Sequence, residues 1–477
     1  MKNTLIVQID GLSYDLLNLA IKKSTTPFLS QLAKQGYEIN RFYSGLPSTT
    51  PAAQISLLYG ISNIIPAYRF IIKKENIVVY PGNVKAVHKI NEAALRKNPN
   101  GLLKDGAGIL TIFSGGSKKG MTVDNIYNSK FSVLKSLFYL INPVKLLFFM
   151  LKAGILMVID KLEQSKIKKN KNKPISNFKS KIKRVFEELF FGEIAYSLTK
   201  QSIINKIPVI YVDFPGYDEV AHFYGPASNF AFYYLQIIDM YIKRLFDIIL
   251  EKSLSYEVII LSDHGQTSCI AIKKIIGVTL GEKILSFYPT KKIIQHEDSY
   301  DNKFLKTVDL YLLNSGGLGL LYYPKLQDKA TKSQMEKEFP DLCRNISNIS
   351  GVGLVIVRDH QNLVIKKGIS YEMTEINLSK ILPGFIDSLE KEKIFNQLIK
   401  LLDCQYGADV YIIGEILDKN KVVTFEDHQF GTHGCLGGLQ TKPFFMSKAI
   451  EIQSDKIRDI GDVYSYLYNF IYSTSKS

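Results

Sequence analysis

Three short apolar runs, each ending in an acidic or His-bearing turn, constrain the fold of this chain more than any other feature. They are TLIVQID (4–10), IPVIYVDF (207–214) and YEVIILSDHG (256–265). Continuous apolar runs without polar alternation are typical of strands buried on both faces of a parallel sheet. A helical pattern over 229–252 separates the last two runs. The alternation predicts an α/β fold with a mostly parallel central sheet flanked by helices.

The polar residues that end these strands predict where a functional site lies. In such sheets, ligands bind beyond the carboxyl ends of the parallel strands. Asp10 ends the first run, while Asp263 and His264 end the third. Asp213 ends the second run and is expected to be either a structural carboxylate or a neighbour of the site.

Length and charge limit the domain organisation and the partners. At 477 residues the chain exceeds the usual size of one core, which favours two domains or one large domain with insertions. The net charge of +15 favours anionic partners: nucleic acid, anionic lipid or a phosphorylated substrate. Much of the excess is local, because residues 161–184 hold ten Lys and Arg against one Glu.

An apolar stretch over 141–164 leads into this basic run. Asn142 as N-cap and Pro143 at the first position predict a helix. Lys152 interrupts the apolar run before it reaches the roughly 20 residues that a spanning helix needs. Four polar residues share about one quarter of the helix circumference: Lys145, Lys152, Asp160 and Glu163. This pattern favours a helix on a membrane surface, and the alternative is packing on the protein's own core or on a second copy.

Three of the seven histidines lie in motifs that suit metal binding. Asp218 and His222 in YDEVAHFYGP (217–226) are four residues apart, which places both on one face of a helix. His433 in GTHGCLGG (431–438) lies between glycines that let backbone approach a ligand closely. Together with the strand-end residues, these oxygen and nitrogen donors suit a pair of zinc-like ions for phosphoryl transfer.

The stretch PSTTPAAQISLLYG (47–60) offers two hydroxyl groups, on Thr49 and Thr50, where a helix is predicted to begin. A helix N-terminus favours phosphate through its backbone N–H groups and its dipole. Metal coordination favours the alkoxide of threonine, which is otherwise a poor nucleophile. Thr49 has a helix cap or a phosphate contact as its alternative role.

Five motifs, in this order, resemble the nucleotide pyrophosphatase/phosphodiesterase branch of the alkaline phosphatase superfamily, the type I phosphodiesterases: VQIDG, PSTTPAAQISLLYG, DEVAHFYGP, LSDHGQT and GTHGCLGG. The resemblance implies an alkaline-phosphatase-like catalytic domain formed by residues 1–130 and 200–477. Residues 131–199 would then be a helical, basic insertion, acting as a membrane-surface element or a lid.

The resemblance also implies roles for individual residues. Thr50 matches the family's nucleophile, which would form a phosphothreonine intermediate, and Thr49 would be its neighbour or a phosphate contact. Zinc is the expected metal. One ion would be surrounded by Asp10, Thr50, Asp263 and His264, and the other would be held by Asp218, His222 and His433. His428 is within reach of the same pocket, and the turn over 112–120 either borders the phosphate or forms a surface loop.

These features predict a metal-dependent phosphoric diester hydrolase that cleaves a phosphodiester or phosphoanhydride, on a lipid-linked or membrane-proximal substrate. We expect residues 134–184 to contact an anionic membrane surface or to pack on the protein, and we expect no specific nucleic acid binding. The alternatives are a phosphomonoesterase or phosphotransferase on the same core, or a non-catalytic membrane- or partner-binding protein. The four cysteines form no CxxC pair and no secretory signal is visible, so a cytoplasmic, peripherally membrane-associated protein is expected.

Overall fold

The computed structural model describes residues 1–124, 178–296 and 307–473, together with positions 144, 147, 151, 154 and 155. Elements are numbered in chain order over these residues. The strands are β1 (Thr4–Ile9), β2 (Glu38–Arg41), β3 (Phe70–Ile72), β4 (Ile77–Val79), β5 (Ala107–Thr111), β6 (Lys119–Thr122), β7 (Val209–Phe214), β8 (Glu257–Leu261), β9 (Thr267–Ala271), β10 (Ile293–His296), β11 (Leu310–Ser315), β12 (Leu318–Tyr322), β13 (Val352–Arg358), β14 (Asn362–Lys366), β15 (Ile369–Glu372), β16 (Val410–Gly414), β17 (Ile416–Asp418), β18 (Lys421–Thr424), β19 (Gly431–Thr432) and β20 (Phe444–Ser447).

Helices alternate with many of these strands. The helices are α1 (Tyr14–Lys22), α2 (Pro27–Lys34), α3 (Thr50–Tyr59), α4 (Val84–Lys97), α5 (Phe178–Ile204), α6 (Gly216–Tyr224), α7 (Asn229–Glu251), α8 (Lys273–Ile276), α9 (Leu280–Phe287), α10 (Lys332–Glu336), α11 (Leu342–Ser347), α12 (Glu375–Ile381), α13 (Ser388–Asp403) and α14 (Ile460–Tyr472). The predicted helix over 229–252 is therefore present as α7.

The three predicted strands are neighbours in the central sheet, whose order is β2-β20-β8-β1-β7-β5-β6. The strands from β8 to β6 all run parallel, and β2 and β20 add an antiparallel edge. Every residue of β1 and β7 is buried, as the continuous apolar runs predict. The observed sheet confirms the predicted α/β fold with a mostly parallel central sheet.

Each face of the central sheet is covered by its own hydrophobic core. Ile6 of β1 points into the core that α3 and α14 help to form. Leu5 and Val7, on the opposite face of the same strand, point into the core that includes α5 and α7. This alternation is what a strand buried on both faces requires. The packing fixes the carboxyl ends of β1, β7 and β8 side by side.

A second, mostly antiparallel sheet packs against the core that contains α3. Its order is β10-β11-β12-β16-β13-β14-β15, and Leu313, Leu320 and Tyr411 contribute side chains to that core. A four-stranded sheet, β17-β18-β9-β19, connects the two seven-stranded sheets. Because β9 follows β8 and β19 directly precedes His433, this small sheet brings the last predicted motif back to the central sheet.

The predicted insertion over 131–199 is described only in part. The C-terminal half of helix α5 is buried in the core, with Tyr196 and Ile203 among its contacts, so the predicted boundary at residue 199 falls inside a helix. The predicted membrane-surface helix over 141–164 lies outside the described residues except for five positions. Among the described residues, no helix combines the length and the apolar character needed to cross a bilayer.

Candidate active site

Thr50 is the first residue of α3, at the carboxyl edge of the central sheet. Thr49 is the N-cap residue in extended conformation, and its carbonyl accepts the N–H of Ala53 at 2.9 Å. Its hydroxyl makes no capping bond, and Oγ1 is buried without a hydrogen-bond partner among the described residues. The helix therefore begins where the sequence predicts, but the backbone of Thr49 provides the cap and its side chain does not.

One cluster of side chains that could bind a metal ion surrounds the Thr50 hydroxyl. Oγ1 of Thr50 lies 3.2 Å from Nε2 of His264 and 3.4 Å from Oδ1 of Asp10. Nε2 of His264 also lies 3.2 Å from Oδ2 of Asp263. All four residues are buried. They come from the end of β1, the start of α3 and the loop after β8, so three separate motifs meet as the sequence predicts.

A second cluster is centred on Asp218. Asp218 lies in the first turn of α6, and its Oδ2 is 3.2 Å from Nε2 of His222, one turn further along the helix. The same oxygen is 3.6 Å from Nε2 of His433. Asp218 also has a carboxylate oxygen within 4.8 Å of ligand atoms of Asp10 and His264, so the two clusters adjoin.

Backbone carbonyls fix the orientation of the three imidazole rings. Each Nδ1 atom lies within hydrogen-bond distance of one carbonyl oxygen: His222 at 2.8 Å from Gly431, His433 at 2.9 Å from Ser48, and His264 at 3.1 Å from Gly265. A carbonyl only accepts, so Nδ1 carries a proton, and Nε2 is the nitrogen that faces the carboxylates. Metal-binding histidines have this arrangement.

The carboxylates in these clusters strongly affect each other. Burial, together with the charge of Asp263, raises the pKa of Asp10 well above its usual range. Burial and the charge of Asp218 raise the pKa of Asp263 to about 7. The pKa of Asp218 is lowered despite burial, because His222 and His433 stabilise its charge. The carboxyl groups of Asp10 and Asp263 thus hold a proton more tightly than usual, and divalent cations would favour their ionised forms.

The side chains of the two clusters are able to hold metal ions, and Asp218 is close enough to take part in both positions. Oδ2 of Asp263 is buried and has no hydrogen-bond partner among the described residues, as expected for an atom that faces a cation. Two groups of acidic and histidine ligand atoms lie close enough together to hold an ion: Asp218, His222 and His433, and Asp10, Asp218 and His264. Carboxylate oxygens with imidazole nitrogens suit zinc and several other transition metals.

A cavity of about 370 Å³ opens over both clusters. Asp213 and His428, which the sequence places near the site, both line it. Ile112, from the turn over 112–120, lines it as well. The cavity is large enough for a phosphate ester together with the organic group that the ester carries.

Several cavity residues were not predicted, among them Tyr68, Arg69 and Glu426. Nη1 of Arg69 donates to Oε1 of Glu426 at 2.7 Å and to the carbonyl of Asn314 at 2.9 Å. Among the described residues, Arg69 is the only Lys or Arg that lines the cavity. No spacing pattern in the sequence indicates Tyr68 or Arg69. Glu426 lies seven residues before His433, and its run of acidic residues beside His428 is a weak signal of site proximity.

Comparison with known proteins places this geometry in context. The sequence profile described as "Type I phosphodiesterase / nucleotide pyrophosphatase" matches residues 4–306. An inactive variant of murine ectonucleotide pyrophosphatase/phosphodiesterase 5, solved in complex with AMP, has a TM-score of 0.51 and 12% sequence identity, over 100% of this chain and 96% of that chain. This similarity shows a shared fold.

Two further solved structures are similar at lower scores. The human ectonucleotide pyrophosphatase/phosphodiesterase 5 has a TM-score of 0.49 and 12% identity, over 100% of this chain and 96% of that chain. Phosphonoacetate hydrolase from Sinorhizobium meliloti, in complex with phosphonoformate, has a TM-score of 0.48 and 11% identity, over 98% and 96%. No curated protein matches the chain.

Proposed function

The chain belongs to the type I phosphodiesterase/nucleotide pyrophosphatase family, and from this premise we propose that it is a two-metal hydrolase of phosphodiesters or phosphoanhydrides with Thr50 as its nucleophile. The family match supports a hydrolase that acts on phosphoesters. The observation that carries the finer proposal is the position of the Thr50 hydroxyl, 3.2 Å from Nε2 of His264 and 3.4 Å from Oδ1 of Asp10.

Two divalent ions at the two clusters would lower the pKa of the threonine hydroxyl and stabilise the negative charge that develops on the phosphoryl oxygens. Asp10 and His264 hold the hydroxyl of Thr50 in place for attack on phosphorus, and Asp263 contacts His264. The bond from phosphorus to the departing alcohol then breaks, and the alcohol takes up the proton that the hydroxyl of Thr50 loses. This leaves a phosphothreonine that keeps the second substituent on phosphorus. Water attacks the phosphothreonine in a second displacement and regenerates the hydroxyl of Thr50.

The start of α3 contributes to substrate binding. The first turn of a helix has backbone N–H groups without intrahelical partners, and its dipole favours negative charge. Because Thr50 is the first residue of a ten-residue helix, a phosphate bonded to its oxygen would lie beside these N–H groups. The same position supports both binding of the ester and stabilisation of the phosphothreonine.

The main test compares Thr50→Ala with Thr49→Ala in the metal-loaded protein. Each variant and the wild type would be assayed with methyl p-nitrophenyl phosphate, a diester, and with p-nitrophenyl phosphate, the matching monoester. We expect Thr50→Ala to abolish turnover and Thr49→Ala to retain part of it. Loss of activity in Thr49→Ala with full activity in Thr50→Ala would show that Thr49 is the nucleophile. Turnover of the monoester alone would favour the alternative of a phosphomonoesterase.

We also propose that residues 134–184 hold the enzyme at an anionic membrane surface, close to a lipid-linked substrate. The supporting observation is that four apolar side chains at helical spacing are exposed by 58% or more: Val144, Leu147, Leu151 and Ile155. Flotation with vesicles containing phosphatidylglycerol would compare the full chain with Leu147→Ser/Leu151→Ser/Ile155→Ser. Equal binding of both proteins would rule out this membrane contact, and binding to neutral vesicles alone would rule out the role of the basic run.

A further inference from the structure

Asp213 is a cavity carboxylate that belongs to neither metal-ligand cluster. It lies at the end of β7, between the strand end that carries Asp10 and the helix that carries Asp218, and its side chain is almost fully buried. It nevertheless lines the cavity above the two clusters. A buried carboxylate at this position needs a structural or a functional reason.

Gln54 accounts for only one of the two oxygens of Asp213. Nε2 of Gln54 donates to Oδ2 of Asp213 at 2.8 Å, while Oε1 of Gln54 accepts the N–H of Ile112 at 2.8 Å. These two bonds fix the orientation of the amide and connect β5 and β7 to helix α3, one turn beyond Thr50. Oδ1 of Asp213 is buried and has no hydrogen-bond partner among the described residues.

The charges of the site leave Asp213 without a compensating partner. No Lys, Arg or His side chain among the described residues forms an ion pair with Asp213, whose one side-chain hydrogen bond comes from Gln54. Gln54 is neutral, so its hydrogen bond does not cancel the charge of Asp213. Arg69 is the only Lys or Arg lining the cavity among the described residues, and it forms an ion pair with Glu426 at 2.7 Å.

The carboxylate of Asp213 acts on its surroundings through space. Burial, with the charges of Asp263 and Asp218, raises the pKa of Asp213, and divalent ions held by the two clusters would oppose this shift and favour the ionised carboxylate. A phosphate ester bound over the clusters enters the same low-dielectric region, where charge repulsion is stronger than in water.

We propose that Asp213 is a specificity-determining residue that favours phosphate esters with one negative charge over esters with two. A phosphodiester carries one negative charge, whereas a phosphomonoester carries close to two above its second pKa of about 6. The uncompensated carboxylate therefore repels a monoester more than a diester of the same size. The inference rests on the proposed function of the site and assigns its preference to a residue outside the ligand clusters.

Direct binding tests this inference without turnover. In metal-loaded protein carrying Thr50→Ala, titration calorimetry at pH 8 would measure the Kd of phenyl phosphate and of methyl phenyl phosphate. Adding Asp213→Asn removes the charge but keeps an oxygen that accepts from Gln54. We expect it to tighten the binding of phenyl phosphate about tenfold. The Kd of methyl phenyl phosphate should change by less than about twofold.

Gln54→Ala in the same background is the matched control, because it removes the hydrogen bond and leaves the charge. It should leave the ratio of the two Kd values unchanged. Asp213→Ser, a smaller uncharged side chain, gives a second measurement should Asp213→Asn fold poorly. An unchanged ratio in the Asp213 variants, or equal weakening of both ligands, would overturn the inference and leave Asp213 as a structural residue.

Catalysis distinguishes this inference from the proposed function. With Thr50 intact, Asp213→Asn should raise kcat/KM for p-nitrophenyl phosphate relative to methyl p-nitrophenyl phosphate by about tenfold. If neither ester is hydrolysed but the ratio of the Kd values still shifts, the proposed hydrolase activity fails while the role of Asp213 in charge discrimination stands.

Discussion

The imidazole ring of His433 stacks on that of His264, with ring centroids 4.0 Å apart and an interplanar angle of 17°. The two residues lie 169 positions apart in the sequence and belong to different predicted metal positions. The stack thus joins the two ligand clusters through a direct contact between one histidine of each.

We expect His433→Ala to lower the bound metal from about two ions to about one per chain, since Asp218 and His222 alone hold an ion weakly. Substitution of a residue that only contacts a metal ligand typically weakens metal binding by about 10- to 100-fold. Loss of a ligand itself should weaken metal binding at that site by more. His428→Ala is the control, because His428 lines the cavity outside both clusters. Elemental analysis after dialysis measures the metal content, and equal content in both variants would contradict the assigned ligand.

The metal-free protein should lose stability as pH rises from about 5 to about 8. Asp263 has a pKa of about 7 in the fold, against about 3.9 in an unfolded chain. The folded state thus binds more protons in this window, and the free energy of unfolding falls as pH rises through it. His222, with its pKa raised to about 9 by Asp218 against the effect of burial, changes stability in the same direction.

Thermal unfolding with a chelator and with added zinc would measure this dependence. We expect the Tm of the metal-free protein to be lower at pH 8 than at pH 5, and zinc to raise the Tm more at pH 8. Asp263→Asn should flatten the dependence, because the amide does not titrate. A metal-free protein whose Tm rises across this window would show that other groups dominate.

The parts of the fold that the sequence predicts are those with local patterns. β1, β7 and β8 were predicted because each is one unbroken apolar run. The second sheet was not predicted, because its strands between 293 and 414 are separated by helices and turns and carry no motif. Their pairing depends on contacts between distant segments, which residue patterns do not encode on their own.

The candidate site likewise has a part that the sequence predicts and a part that it does not. The seven proposed ligands lie in recognisable motifs, and the structure places them in two adjoining clusters. Arg69 and Glu426 form their ion pair across 357 positions. Neither side chain has a neighbour in the sequence that indicates this pairing. The pairing depends on the fold, because the end of β11 and the turn between β11 and β12 lie beside both residues. Arg69 donates to the carbonyl of Asn314, and the N–H of Gly316 donates to Glu426 at 3.2 Å.

Arg69→Ala should lower kcat/KM for diesters by about tenfold or more, because it leaves Glu426 as an unpaired charge beside the substrate. Arg69→Lys should recover only part of the loss, since an ammonium group lacks the planar fork of the guanidinium. The double variant Arg69→Ala/Glu426→Gln should exceed Arg69→Ala in kcat/KM. Steady-state kinetics of the wild type, Arg69→Ala, Glu426→Gln and the double variant gives the coupling, and strictly additive effects would show that the pair does not act as a unit.

Leu110 has a left-handed backbone conformation inside strand β5, with φ of 56°. It lies at a shift of register in the pairing of β5 with β6, between Ile109 and Thr111, and its side chain lines the cavity. For a residue with a Cβ atom this conformation costs roughly 1–2 kcal/mol, and glycine avoids the cost. Bulges of this kind redirect side chains next to active sites.

The strain at Leu110 predicts a reversal of the usual order of alanine and glycine. Both Leu110→Ala and Leu110→Gly lose the leucine side chain, but only glycine adopts positive φ without strain. We expect Leu110→Gly to be more stable than Leu110→Ala by about 0.5–1 kcal/mol. At Ile109, one residue earlier in the same strand, alanine should be the more stable of the two by a similar margin. Urea unfolding of the four variants measures both differences, and alanine being the more stable at both positions would show that the bulge stores no strain.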